Sequence, residues 1–171
     1  MKQINVILFD VPAVRENLLP MSYTRPVADF LLGITTLRRK WEIFLPGNYS
    51  YLTADYLAEK FPMVEAEDNV FVASHVVATP DMAKAVEALE PGETLCGETR
   101  SGHRVLLAMR GTLAQYRALQ GSCEGAKEFA DKVDAVENLY DIFLLNGRQI
   151  EDDFQVLTHR REGQSIPLSL I

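Results

Sequence analysis

An α/β fold with right-handed crossovers is what the sequence predicts, and three observations carry that reading. Asn5–Phe9 is apolar throughout, as expected of a central strand in a parallel sheet. Asn69–Val77 is a second strong strand candidate. Segments of helical spacing separate and follow them, so strands alternate with helices along the chain.

Each element has its own local reason. Asp10–Arg25 reads as a long loop, ordered because it holds Pro12, Pro20 and the apolar pair Leu18-Leu19. A helix follows over about Gly33 to Phe44. Ile34, Leu37, Trp41 and Phe44 or Leu45 recur on one face, with Trp41 as core anchor, while Arg38, Arg39 and Lys40 largely face water. Pro46-Gly47-Asn48 ends it. Tyr49–Leu52 is a short strand candidate, and Asp55–Lys60 a short helix stopped by Phe61-Pro62. Thr79-Pro80-Asp81 opens a helix with a hydroxyl cap, a first-turn proline and an acid near the positive end of the dipole. Met82, Val86 and Leu89 form its inward stripe, and Pro91-Gly92 closes it.

Thr94–Cys96 and Arg104–Met109 are expected as hairpin strands around the polar tip Glu98–Gly102. Thr112–Leu119 and Gly125–Val133 read as helices, as does Gln149–Leu157, whereas Asn138–Leu145 is ambiguous. The apolar end Ser165–Ile171 has two readings of equal weight: a docked final strand, or a chain continuing into a further domain.

The chain's 171 residues suffice for one domain with a real core. Its net charge, 17 − 24 = −7, argues against a nucleic-acid or anionic-membrane surface. A local basic pocket stays compatible with it, because net charge does not describe a cleft. Cys96 and Cys123 lack metal-like spacing and read as reduced thiols in preference to a disulfide. No signal peptide is recognised at the start, and no apolar run could span a bilayer. A cytoplasmic location is therefore expected.

A strand feeding a loop that carries fixed cations, followed by a helix, is how α/β folds build phosphate sites at the strand's carboxyl end. Arg15 and Arg25 are the candidate phosphate ligands, because a planar guanidinium pairs with phosphate oxygens. Their alternative is a surface role or pairing with Asp10, Glu16 or Asp29. Asp10, at the end of the first strand, could hold a metal or cap the loop, and capping is favoured.

Beyond these residues, the chain resembles the sugar-nucleotidyltransferase superfamily. More closely it is similar to the amino-terminal domain of bacterial proteins like the bifunctional N-acetylglucosamine-1-phosphate uridyltransferase. The resemblance rests on Ile4–Trp41, Val70–Leu89 and Leu139–Thr158. Family members carry a glycine-rich loop ending in Thr-Arg, then Leu-x-Pro-Leu-Thr, then Pro-Lys. Here Arg15 stands at the loop arginine, Leu18-Leu19-Pro20-Met21-Ser22 resembles the middle part, and Pro26 matches the final proline. Asp10-Val11-Pro12-Ala13-Val14 replaces the glycines, and Val27 replaces the lysine, with Thr24 and Arg25 just before it. Ser74-His75 stands where the family has Gly-Asp, whose carboxylate binds Mg²⁺.

The resemblance implies a three-layer, Rossmann-like, mixed but mainly parallel sheet of nucleotide-diphospho-sugar-transferase type. It implies nucleotidyl transfer from a nucleoside triphosphate to a hexose-1-phosphate, with Mg²⁺ as cofactor and Arg15 and Arg25 holding the triphosphate. Asp10, Thr24, Ser74, His75 and Asn146 are the candidate ligand contacts. The altered glycine loop, Val27 and Ser74-His75 favour the other reading, a non-catalytic sugar-nucleotide-binding or assembly module. Such a module would serve a downstream left-handed β-helix acyltransferase, through which the chain could oligomerise.

Simpler readings stand beside these. His75 at a strand end suits a hydrogen-bonded structural group. His103 at the hairpin tip and His159 at a helix end suit solvated positions. Asn146-Gly147 suits a helix end plus turn. Glu151-Asp152-Asp153 suits a solvated acidic first turn, because adjacent residues on a helix point different ways.

Overall fold

A computed structural model describes residues 4–159, 161 and 163. Its centre is a six-stranded sheet formed by β1 (Ile4–Phe9), β4 (Gly47–Leu52), β5 (Asn69–Ala73), β6 (Thr94–Glu98), β7 (Arg104–Gly111) and β8 (Lys127–Glu128), in the order β4-β1-β5-β7-β6-β8. β1 pairs in parallel with β4 and β5, and β6 with β8. β7 is antiparallel to both of its neighbours, so the sheet is mixed but mainly parallel. A small hairpin, β2 (Leu31–Leu32) with β3 (Thr35–Thr36), stands apart from it.

Strand side chains alternate between faces, and the helices divide accordingly. On the face carrying Ile7, Phe9 and Phe71 lies α4 (Leu113–Leu119), whose Tyr116 ring stacks on Phe71 with centroids 4.5 Å apart. On the other face, α2 (Leu37–Phe44) and α3 (Pro80–Glu87) touch each other. There Leu45 and Val86, at their ends, meet Ile4 and Val70 around a small cavity. The layering is that of an α/β domain covered on both faces. Trp41 is fully buried, as are Met82, Val86 and Leu89 of the expected stripe. The Thr79 cap is where the sequence puts it, with Thr79 Oγ1 accepting the Met82 N–H at 3.2 Å. Thr36 Oγ1, which accepts the Arg39 N–H at 3.1 Å, is a further cap that the sequence reading does not contain.

Several expectations are corrected. The Asp10–Arg25 loop contains α1 (Pro12–Asn17) and a 3₁₀ turn at Met21–Tyr23. The helix expected from Gly33 starts only at Leu37, because Gly33, at φ +78°, turns the β2–β3 hairpin. Gly33 also lies so close to the last helix that a Cβ there would stand 2.6 Å from the Gln149 carbonyl oxygen. Gly125–Val133 is not helical. Its Lys127–Glu128 is the edge strand β8, and the Phe129 N–H donates to the Cys96 carbonyl at 2.8 Å. The chain just before that segment is tied to β6 by a Cys96–Cys123 disulfide, so the reading of both cysteines as reduced thiols is corrected as well. The two side chains meet because the chain after α4 returns to the edge of β6.

Asn138–Leu145 and Gln149–Leu157 fuse into one helix, α5 (Leu139–Thr158), which overrides the Asn146-Gly147 turn signal. Asp141 reaches back to accept the Asn138 N–H at 2.7 Å, starting the helix. One face of α5 docks on the β2–β3 hairpin, and the other leaves Phe143 and Leu144 exposed. Asp153, far from any first turn, is buried against Lys40, which is itself out of solvent. The sequence pattern alone places both in water. Lys40 turns inward because it shares the buried side of α2 with Leu37 and Trp41, and Asp153 supplies its counter-charge. Ser165–Ile171 lies outside the described residues. No helix among the described residues is long and apolar enough to cross a membrane.

Candidate functional site

Strand register builds the site. Phe9 stands beside Leu52 on one side and Ala73 on the other. The ladder continues one step further, since Asp10 N–H donates to the Leu52 carbonyl and Ser74 N–H to the Phe9 carbonyl, each at 2.9 Å. The next three residues, Asp10, Thr53 and Ser74, therefore come abreast at the carboxyl edge of the sheet, where ligands bind in open α/β sheets.

Their side chains close on one another. Asp10 Oδ1 accepts from Ser74 Oγ at 2.6 Å and Val27 N–H at 3.1 Å. Its Oδ2 accepts from Thr53 Oγ1 at 2.6 Å and Arg15 Nη1 at 2.8 Å. Arg15 Nη1 also reaches Thr53 Oγ1, and Nη2 donates to the Ser22 carbonyl at 2.6 Å and Tyr56 Oη at 2.9 Å. α1 exists to aim this guanidinium: Pro12 starts the helix, and Arg15 is carried one turn on, over Asp10. The side chains of Arg15 and Asp10 are 11% and 1% exposed, so the pair forms a buried, internally neutral floor.

Two cavities open above this floor and share Asp10, Pro12 and Tyr116 as walls. The outer one, of about 500 Å³, lies between Arg15, Leu19, Tyr23, Leu52, Thr53 and Tyr56. Tyr23 and Tyr56 are exposed, with ring centroids 5.8 Å apart. The inner cavity, of about 340 Å³, is bounded by Phe9, Val11, Val14, His75, Leu106 and Tyr116, with Arg104, Arg117 and Gln120 also lining it. Burial, helped by the Asp10 charge, pushes the Tyr116 hydroxyl up to about 12. Tyr116 therefore stays protonated and can donate.

The residues singled out in the sequence are only partly brought together. Asp10, Arg15 and Ser74 meet directly, and His75 lines the inner cavity beside Asp10. Arg25 contributes its carbonyl, 3.5 Å from Arg15 Nη1, while its side chain is exposed and makes no ion pair among the described residues. Thr24 is exposed beside it. Asn146 lines neither cavity; it accepts the Gly33 N–H at 2.8 Å and so helps seat the hairpin on α5. His103 pairs with Glu137 at 2.9 Å near the hairpin tip, with most of its own surface exposed. Thr53, Tyr56 and Tyr116 are additional site residues. The place of Thr53, directly after a strand, was the one sequence signal that could have found it.

A family model described as sugar nucleotidyl transferase matches residues 6–162. The chain belongs to that family. No curated protein matches the chain. Membership agrees with the mixed, mainly parallel sheet and with a cleft at its carboxyl edge. In this sugar nucleotidyl transferase domain, the donors at that cleft do not suit a resident Mg²⁺. A hard cation needs free carboxylate oxygens, and all four acceptor directions of Asp10 are already filled by protein donors. Among the described residues no three His, Cys, Asp or Glu side chains converge on a point that could hold a metal. Val27 is fully buried and supplies only its N–H to Asp10.

Proposed function

We propose that this domain binds a nucleotide or sugar nucleotide in the double cavity and does not transfer it. The observation that carries this is the mutual saturation of Asp10 and Arg15. Nucleotidyl transfer works by neutralising charge at the phosphates with free cations and a metal carboxylate. Here the carboxylate and the guanidinium best placed for that work neutralise each other at 2.8 Å.

The outer cavity offers aromatic rings and hydroxyls, a suitable surface for a base and its ribose. Arg117, which lines the inner cavity, and Arg25, exposed with Thr24 beside it, are the cations left to meet phosphate oxygens, and Arg15 acts as a positioning residue that fixes the floor. On this reading the domain serves assembly or regulation of a larger protein. The resemblance to uridyltransferases that precede a left-handed β-helix points to an acyltransferase of that kind as the served unit. The second reading, sugar-1-phosphate nucleotidyl transfer with Mg²⁺, is favoured by family membership.

Isothermal titration with UTP, UDP, UDP-glucose and UDP-N-acetylglucosamine, with and without Mg²⁺, tests the binding. Assay of pyrophosphate release from UTP with hexose-1-phosphates tests the transfer. Binding of at least one ligand with no pyrophosphate above the blank is expected. Pyrophosphate release establishes the second reading instead, and no binding of any ligand sinks both.

A further inference from the structure

His75 is the one residue among those described whose buried side-chain nitrogens have no hydrogen-bond partner, at both Nδ1 and Nε2. Its backbone is well anchored: the carbonyl accepts the Val136 N–H at 2.8 Å, and the residue sits in the turn directly after β5. The main chain alone therefore explains the turn, and the imidazole is not needed to hold it. His75 is instead one of the residues that bound the inner cavity, where Phe9, Val11, Leu106 and Tyr116 beside it are largely apolar and its two ring nitrogens lie buried. A buried polar group without a partner is costly, and native proteins seldom keep one without a use.

The chemistry narrows that use. Burial pushes His75 down to about 4, although the charges of Glu137 and Asp10 pull it the other way. At neutral pH the ring is uncharged, with one nitrogen donating and the other accepting. Such a group, with two carboxylates nearby, does not favour an anion. It suits a hydroxyl, which also donates and accepts. Cations are found at the cavity's other residues: Arg117 is exposed with no ion pair among the described residues, and Arg104 is engaged by Glu128.

We propose that His75 is the ligand-discriminating residue of the inner cavity, exchanging hydrogen bonds with a hydroxyl or amide on an uncharged ring whose attached anionic group meets Arg117. The ligand class is a hydroxylated ring joined to a phosphate. A volume of about 340 Å³ accommodates a ring of that size. This assignment rests on the binding reading above and adds to it the residue that tells a sugar-bearing nucleotide from a bare one.

The test compares UDP with UDP-N-acetylglucosamine and UDP-glucose by isothermal titration on the wild-type chain, His75→Phe and His75→Gln. His75→Phe should weaken a sugar-bearing ligand at least tenfold and leave UDP within twofold, with His75→Gln between. A merely structural histidine would leave the ratio of the two affinities unmoved, and that result overturns the proposal while the binding reading stands. No binding of any of the three by the wild-type chain overturns both. Long-range ¹H–¹⁵N spectra of the wild-type imidazole supply the readout if a variant fails to fold. A His75 nitrogen shift that follows the sugar-bearing ligand and not UDP supports the assignment, and identical responses to the two ligands overturn it.

Discussion

Lys40 Nζ donates to Asp153 Oδ1 at 2.5 Å, and both side chains lie almost wholly out of solvent. The same carboxylate accepts through Oδ2 from the N–H groups of Ile34 and Thr35 at 2.9 and 3.0 Å. One aspartate on the last helix thus holds the inner cation of α2 and the turn of the β2–β3 hairpin together. A buried pair of this kind is costly to break from one side, because the surviving charge is left without its partner. Lys40→Met is expected to lose about 3–5 kcal/mol, read as a lower urea midpoint. Asp153→Ala should lose at least as much, since it also orphans two amides. A double variant with apolar residues of similar size should recover most of the loss. Equal stability of Lys40→Met and wild type would contradict the arrangement.

Gly33 is the second fixed point of that junction. A methyl group there would meet the Gln149 carbonyl oxygen at 2.6 Å and Asp153 Oδ2 at 2.8 Å, on a backbone held at φ +78°. Gly33→Ala is expected to lower stability by about 1–3 kcal/mol, measured as a lower melting temperature. Gly121→Ala serves as a control. It has the same sign of φ, but nothing lies within 4 Å of its Cβ position, so its loss should be the smaller.

Stability should also follow the protonation of His75. An unfolded imidazole takes its proton near its ordinary 6.5, whereas the folded one refuses it until about 4. Between those values the unfolded chain binds more protons, so stability falls as pH falls through that window. The full effect is on the order of 3 kcal/mol. Glu137, held below its ordinary range by hydrogen bonds from Ser101 and His103 despite the opposing effect of burial, adds a further loss in the same direction at lower pH. Urea midpoints of wild type and His75→Phe across pH 7 to 4 check this. The variant's curve should be flatter in the upper part of the window, and parallel curves would contradict a buried neutral ring.

The Cys96–Cys123 bond closes a loop with a sequence separation of 27 residues. Loop-closure entropy for that length gives about 3–4 kcal/mol. Thermal melts with and without dithiothreitol should differ accordingly, and thiol titration of the untreated, denatured chain should find no free cysteine. Two titratable thiols would refute the pairing.

These residues also mark what could be read in the sequence. Asn5–Phe9, the cap at Thr79 and the inward Trp41 follow from local pattern, and local pattern is what a single chain displays. Lys40 and Asp153 read as solvated in the sequence because their partnership spans 113 residues, and no periodicity encodes a partner that distant. Gly125–Val133 lost its helical reading to an edge strand and a cross-link, both long-range effects. At the cleft, strand ends pointed to Asp10 and Ser74. The orientation of Arg15 toward Asp10 depended on a short helix inside what reads as a loop.

The chain holds a single tryptophan, and its Nε1 donates to the Val76 carbonyl at 3.1 Å, one residue beyond His75. The molecule therefore carries its own optical gauge. Trp41 emission arises from one buried indole tethered to the turn that presents His75, so any rearrangement of that turn registers as a change in fluorescence without a label.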